Sequence, residues 1–303
     1  MRHWRIRETV QSWMMSNKIT DEMKSYLRQG ERIDDLQCRG YYIIQNPAEF
    51  CFGMDAVLLA DFATGKKGGR VIDLGTGTGV IPMLMEGREK GAHFVGLEIQ
   101  EASAERAARS VEMNGLAGKI DIVRGDIREI SVELTPVGTE GISSENFPDN
   151  HFRMKHPLYP QADYSGVIKK GSFDCVTSNP PYIKGGRGLE NADSPKNIAR
   201  HETLVTLEEV VAAASYLLVS GGSFAMVHKP FRLAEIIRTL SRYRLEPKRM
   251  CLVQPYIDKE PNMVLIEAVK DGGVQLSCEP TLVVYNKDGS YTEDLLHRYG
   301  EYR

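Results

Sequence analysis

Along this 303-residue chain, short apolar runs alternate with stretches of helical spacing from about residue 36 to 130, and again beyond 171. Val71–Leu74 is an apolar run of strand length, and Val80–Lys90 repeats its apolar positions at intervals of three and four, as a helix does. The same pattern predicts further strands at His93–Leu97, Ile120–Arg124, Phe173–Thr177, Ser223–Val227, Met250–Val253 and Met263–Val269. It predicts helices at Glu101–Asn114, Leu207–Val219 and Phe231–Tyr243. Strands separated by helices of this length build βαβ units, so the expected fold is α/β, a Rossmann-like, doubly wound and mostly parallel seven-stranded sheet. A short strand at Thr281–Tyr285 and an Asp288-Gly289 turn follow.

The alternation fails in two places. Residues 1–35 are polar with helical spacing from about Ile6 to Leu27, which predicts an N-terminal helical extension. Residues 131–170 hold four prolines (Pro136, Pro148, Pro157, Pro160), three glycines and no sustained period, and are expected as an inserted loop. The organisation is therefore an extension at 1–35 and one domain at 36–303 with an insertion at about 131–170.

Composition narrows the class. Hydrophobic residues are 42% and charged residues 26%, ordinary for a globular protein. No run approaches the roughly 20 apolar residues of a membrane span. The start Met1-Arg2-His3-Trp4-Arg5 lacks the apolar segment of a secretory leader. Cys38, Cys51, Cys175, Cys251 and Cys278 are odd in number, widely spaced and form no CxxC pair, which predicts reduced thiols, no disulfide framework and no metal site. A cytoplasmic protein is expected, with no membrane partner and a monomeric or weakly dimeric state. The net charge of -3 hides an uneven distribution. Lys229 to Arg249 carries seven basic residues, among them Lys229, Arg238 and Arg242, against two acidic ones. Such a cluster can neutralise phosphates or simply be a solvated helix face.

The chemistry starts at Asp73-Leu-Gly75-Thr-Gly77-Thr-Gly79, between a strand and a helix. Gly75, Gly77 and Gly79 let the backbone turn tightly and approach a ligand, and the helix start offers free N–H groups. The spacing is GxGxG, not the GxGxxG of dinucleotide binders, because residue 80 is Val. Asp73 at the strand end would repel a pyrophosphate and welcome a cationic, amino-acid-bearing ligand. Glu98 ends the second strand, where a carboxylate can accept both ribose hydroxyls, and Asp126 ends the third, placed to accept from an adenine amino group. Each acid alone could equally be a helix N-cap or a surface carboxylate. Together they describe a site for an adenosine without phosphates, with Ile99 and Ile127 following two of them.

Asn179-Pro180-Pro181-Tyr182 follows the fourth strand. Successive prolines fix the backbone and leave carbonyls as acceptors. If the Asn179 side-chain oxygen and the Pro180 carbonyl accept both hydrogens of an aromatic amino group, its lone pair turns toward an electrophile, and the growing charge on nitrogen is stabilised. Tyr182 can stack on a base taken out of its helix. Lys184 and Arg187, in a glycine-rich stretch, can meet flanking phosphates. His228 ends the fifth strand and is a candidate to line the crevice; Arg200-His201-Glu202 is read as a surface or capping segment.

These motifs identify a resemblance to class I methyltransferases and, more closely, to the bacterial tRNA1(Val) (adenine(37)-N6)-methyltransferase family. It rests also on Phe52-Gly-Met-Asp55-Ala-Val-Leu-Leu-Ala60, Asn197-Ile-Ala-Arg-His-Glu202 and Gln254-Pro-Tyr-Ile-Asp-Lys-Glu-Pro-Asn262, and covers about residues 31–130 and 171–290. The resemblance implies a class I fold with an antiparallel last strand and S-adenosyl-L-methionine as donor, released as S-adenosyl-L-homocysteine. It implies tRNA as substrate, methylated at N6 of the adenine beside the anticodon of a valine tRNA. Asp73, Gly75, Gly77, Gly79, Glu98, Ile99, Asp126 and Ile127 would hold the donor, with Phe52 and Asp55 at its methionine end. Asn179, Pro180 and Tyr182 would hold the base, Asn179 also touching the donor. Pro181, Lys184, Arg187, Lys229, Arg238 and Arg242 would meet the RNA. Glutamine N5-methylation of a protein such as a release factor uses a similar motif on an amide, and guanine-N2 methylation of ribosomal RNA is a third reading. The first usually requires a helical domain ahead of the catalytic one, and the second a duplicated domain.

Overall fold

A computed structural model describes residues 19–49, 51–130, 167–180 and 205–299. The expected strands form one sheet. In chain order they are β3 (Arg70–Leu74), β4 (His93–Glu98), β5 (Ile120–Arg124), β6 (Phe173–Ser178), β7 (Leu218–His228), β8 (Leu245–Gln254) and β9 (Met263–Lys270). Their spatial order is β8-β9-β7-β6-β3-β4-β5. β3, β4, β5, β6 and β7 pair in parallel, and β9 enters antiparallel between β7 and β8. The seven-stranded expectation falls short by two short edge pieces. β10 (Ser277–Cys278) and β11 (Leu282–Val283), the latter within the strand expected at Thr281–Tyr285, both pair with β8 and bring the sheet to nine strands.

Alternate residues of each strand feed opposite faces, because side chains reverse along a strand. Val71, Phe94, Cys175 and Ala225 pack on one face with helices α2 (Met54–Phe62) and α3 (Val80–Gly87). Ile72, Val95, Val176 and Phe224 pack on the other with α5 (Leu207–Leu217) and α6 (Leu233–Arg242). Helix α4 (Glu101–Met113) completes the first layer through Val111. The start of α5 is written locally: Thr206 accepts from Glu209 N, and the Glu209 carboxylate accepts from Thr206 N at 2.7 Å, a capping box.

The expected N-terminal extension is not wholly helical. Helix α1 (Asp21–Lys24) is one turn, and β1 (Arg32–Asp35) pairs antiparallel with β2 (Tyr42–Gln45) across the boundary set at residue 35. This hairpin sits on α4. Asn114 Oδ1 accepts from Tyr42 N at 2.8 Å and Ser110 Oγ from Ile44 N at 3.0 Å, so helix side chains take the place of a neighbouring strand. Glu31, its side chain 4% exposed, accepts from Arg106 Nε at 3.0 Å and from Arg109 Nη1 at 2.7 Å. These pairs hold the Glu31 carboxyl well below its ordinary range, at about 2, with the Arg109 bond the largest cause. Helix α7 (Glu293–Tyr299), not foreseen, packs on α2 and places Arg298 within 3.4 Å of Asp61. Residues 1–18 and 131–166, with most of the expected extension and insertion, lie outside the described residues. Among the described residues no helix is long and apolar enough to cross a membrane, and no group of three or more His, Cys, Asp or Glu is arranged to hold a metal.

Candidate active site at the carboxyl edge of the sheet

β3 and β6 are adjacent and in register, Asp73 opposite Thr177 and Leu74 opposite Ser178. Two side-chain bonds stitch their ends. Thr177 Oγ1 donates to Asp73 Oδ1 at 2.7 Å, and Ser178 Oγ donates to the Leu74 carbonyl at 2.9 Å. The chain leaves these strands side by side, at Gly75 and at Asn179. Adjacent strands are about 4.8 Å apart, so the glycine loop and the start of the Asn-Pro-Pro motif are neighbours by construction. Asn179 is half-buried and Pro180 buried.

The loop lies across the end of β4. Gly75 N and Thr76 N both donate to the Leu97 carbonyl, at 2.9 and 3.0 Å, and Gly77 N donates to Glu98 Oε2 at 2.8 Å. Gly75 and Gly77 have φ of +76° and +57°, and a Cβ at either would meet nothing within 4 Å. The backbone is therefore left-handed and bare on the side where a ligand would lie. Gly79, left-handed too at φ +82°, also serves packing. A Cβ there would stand 3.3 Å from that of Ala107, so its absence lets α4 come close. Gly96, not singled out in the sequence, is equally constrained. A Cβ there would meet Thr76 Cγ2 at 2.7 Å and Ile122 Cδ1 at 3.0 Å. It is the floor on which the loop rests.

Asp73 is 1% exposed and Glu98 4%. Burial raises the Asp73 carboxyl to about 6, against the opposing Thr177 bond. Burial also raises Glu98, whose Oε1 accepts from Gln100 N at 2.8 Å. Asp73 Oδ2 and Thr76 Oγ1 are buried beside each other; the Thr76 hydroxyl also lowers the Asp73 carboxyl, but neither atom makes a well-formed hydrogen bond among the described residues. A buried carboxylate oxygen without a donor is costly and calls for a ligand donor. The Glu98 carboxylate, which also accepts from the Ile99 amide, keeps acceptor capacity for a ligand hydroxyl. The open glycine cradle, the orphaned Asp73 oxygen and the remaining Glu98 acceptors fit the adenosine-type donor expected from the sequence.

Asp126 is placed differently from Asp73 and Glu98. It caps the short 3-10 turn Ile127–Glu129 by accepting from Arg128 N at 2.9 Å, and pairs with the Arg128 guanidinium. Ile127 is buried and Ile99 half-buried beside these strand ends. Phe52 and Asp55 lie at the start of α2. Gln45, 2% exposed and also donating to Asp34, accepts from Phe52 N at 3.0 Å, so the hairpin holds this loop. Asp55 Oδ1 accepts from Ala56 N at 2.9 Å. Gln45 carries no sequence motif, and Thr76 stands at a spacer position of the glycine loop; only their burial reveals them.

On the other side of β6, Ser178 is level with Met226 of β7, so the Asn-Pro-Pro motif and His228 lie at the same edge of the sheet. His228 is 2% exposed, and burial, followed by the Arg232 charge, pushes it down to about 4, so it is neutral near pH 7. Its Nδ1 accepts from Lys229 N at 2.7 Å. The basic run from Lys229 to Arg249 does not form one patch. Lys229 and Arg232 lie at the site edge. α6 then runs away from it, and Arg242 at its end pairs with Glu208 at 3.1 Å. The next strand begins at the opposite edge: Leu252 is level with Val264 and His228, and Leu245 is seven residues, about 23 Å, below. Arg244 pairs there with Asp271 at 2.7 Å, and Arg249 stacks 4.0 Å over the Phe62 ring between Glu267 and Glu279. Arg238 is exposed midway along α6. Pro181, Tyr182, Lys184, Arg187 and His201 lie outside the described residues.

A family model described as a methyltransferase domain matches residues 65–142, the segment that holds the glycine loop, Glu98 and Asp126. The chain is 28% identical over 248 residues to the tRNA1(Val) (adenine(37)-N6)-methyltransferase of Porphyromonas gingivalis, covering 80% of this chain and 84% of that one. It is 27% identical over 256 residues to the protein of the same name from Bacteroides thetaiotaomicron, covering 82% and 85%. Among solved structures, a predicted O-methyltransferase from Agrobacterium tumefaciens superposes with a TM-score of 0.57 at 21% identity, covering 81% of this chain and 95% of that chain. The fold is thus the Rossmann-like fold of class I methyltransferases, with its antiparallel late strand at β9.

Proposed function

We propose that this chain transfers a methyl group from S-adenosyl-L-methionine to N6 of an adenine in tRNA, adenine 37 beside the anticodon of a valine tRNA. The observation that carries the reading is the stitched pair of strand ends, which sets an open glycine cradle beside Asn179 and Pro180. The named relatives, matched over about four-fifths of the chain, supply the substrate.

When bound, the donor supplies an electrophilic methyl on a sulfonium sulfur. Asp73 offers its orphaned oxygen to the cationic amino-acid end, with Phe52 and Asp55 at the start of α2 flanking that end. Glu98 accepts the ribose hydroxyls, Ile99 and Ile127 line the adenine, and Asp126 accepts the adenine amino group by sharing its carboxylate with Arg128. Asn179 Oδ1 and the Pro180 carbonyl accept the two hydrogens of the substrate amino group and hold its lone pair toward the donor. The displaced proton leaves to water, which requires no general base. Tyr182 stacks on the extruded base, and Pro181, Lys184, Arg187, Lys229 and Arg238 meet the RNA around it.

Incubation with methyl-labelled donor and, separately, bulk tRNA, ribosomal RNA and release factors tests the reading. Label is expected in tRNA, recovered as N6-methyladenosine after digestion. Label in a release factor or in rRNA guanine, and none in tRNA, overturns it.

A further inference from the structure

Two of the four exposed large hydrophobic side chains among the described residues stand at the site edge: Phe231, 74% exposed, and Ile257, 67% exposed. Phe231 follows β7 by three residues, at the same edge of the sheet at which Asn179 and Pro180 follow β6. It is also held firmly. Pro230 starts a 3-10 turn, Pro230–Arg232, closed by Arg232 N donating to the Lys229 carbonyl at 3.1 Å. Arg232 clamps the turn onto Glu235 of α6, and Lys229 Nζ reaches the Asn262 carbonyl at 3.4 Å across the neighbouring loop. Ile257 lies in that β8–β9 loop, where Gln254 Nε2 donates to its carbonyl at 3.3 Å. The two loops follow β7 and β8, strands two spacings, about 10 Å, apart with β9 between them.

A single exposed apolar side chain on a surface is ordinary. A phenylalanine fixed on a proline turn at the lip of a catalytic crevice, among Lys229, Arg232 and Arg238, is a combination that suits a planar, apolar-faced and anionic-backboned ligand. We propose that Phe231 is a stacking platform for an unpaired RNA base adjacent in sequence to the methylated adenine, with Ile257 continuing the apolar surface and Lys229 and Arg238 facing the backbone. This rests on the RNA reading above and adds a binding residue to it. Base stacking on an aromatic ring tolerates any base, so the platform fixes the strand's path and leaves the choice of sequence to other contacts.

The test uses the full chain and an RNA stem-loop carrying 2-aminopurine beside the target adenine. With wild-type protein, binding is expected to quench 2-aminopurine. Phe231→Ala is expected to weaken stem-loop binding about tenfold and abolish the quenching, with donor affinity and melting temperature unchanged, while Phe231→Trp retains both signals. Phe231→Leu separates stacking from apolar cover and is expected to behave as the alanine variant. If Phe231→Ala methylates and binds the stem-loop as wild type does, the platform alone is overturned. Loss of release-factor binding in that variant, with RNA binding intact, would give the surface to a protein partner and overturn it too. If wild-type protein neither binds nor methylates the stem-loop, the RNA reading itself has failed.

Discussion

Thr177 Oγ1 lies 2.7 Å from Asp73 Oδ1, in a place where neither side chain touches water. This bond joins the strand that launches the glycine loop to the strand that launches Asn179, and with the Thr76 hydroxyl it opposes the rise that burial imposes on the Asp73 carboxyl.

That leaves a pH signature. A folded-state value near 6, raised from the ordinary 3.8, means that the folded protein holds a proton more tightly than the unfolded chain. The group therefore favours folding at low pH, and that contribution is lost as pH rises through about 6. Binding of a cationic donor runs the other way, since it needs the ionised acid. Donor affinity measured calorimetrically is expected to rise between pH 5 and 7, about tenfold per unit below the inflection. In Asp73→Asn this inflection disappears.

Asn179→Ala is expected to lower the transfer rate by at least about a hundredfold, the usual cost of one preorganised acceptor or donor at a reacting centre. Donor affinity, measured separately, is expected to stay within a few-fold. A collapse of donor binding would assign Asn179 to the cradle instead of to the substrate.

Gly96→Ala acts from beneath. The new methyl would meet Thr76 Cγ2 at 2.7 Å, so the loop must shift or the sheet must give. Overpacking of this kind costs about 1–3 kcal/mol and is expected to lower the melting temperature and weaken donor binding together.

Glu31→Gln probes the hairpin clamp. The wild-type carboxylate is depressed from 4.5 to about 2, so its contribution to stability is complete above pH 4.5 and is lost as pH falls toward 2. The variant is expected to be less stable by about 3 kcal/mol at pH 7. The gap between the two melting curves should narrow steadily between pH 4.5 and 3.

The two arginines of α6 are expected to separate. Arg238→Ala should reduce the salt slope of RNA binding by about 0.7, the release of roughly one counterion from a single strand. Arg242→Ala, which leaves Glu208 of α5 still accepting from the Tyr243 hydroxyl, should leave the slope unchanged. Equal effects from both would mean that the RNA wraps the whole helix.

The sheet and the catalytic edge were legible because their signals are local. Apolar runs in β3, β4 and β6, glycines at 75, 77 and 79, and Asn179-Pro180 each declare themselves within a few residues. The hairpin did not. β1 reads Arg-Ile-Asp-Asp, with no alternation, and it is ordered by Arg106, Arg109 and Ser110, more than 60 residues downstream. Helix α7 buries Leu295 and depends on Arg298 reaching back to Asp61. The basic run could not be resolved in the sequence for the converse reason: residues close along the chain are carried to opposite edges by one helix and the strand after it.

The sequence separation of 104 between Asp73 and Thr177 also orders events in time. A ribosome adding about 5–20 residues per second needs several seconds to pass from one to the other. During that interval β3 is complete along one edge and unpaired along the other, with its carboxylate lacking the hydroxyl that will later cover it. The nascent chain must therefore wait, exposed, for β6 to arrive at its middle. Until then the open edge of the growing sheet lies at what will become its centre, not its rim.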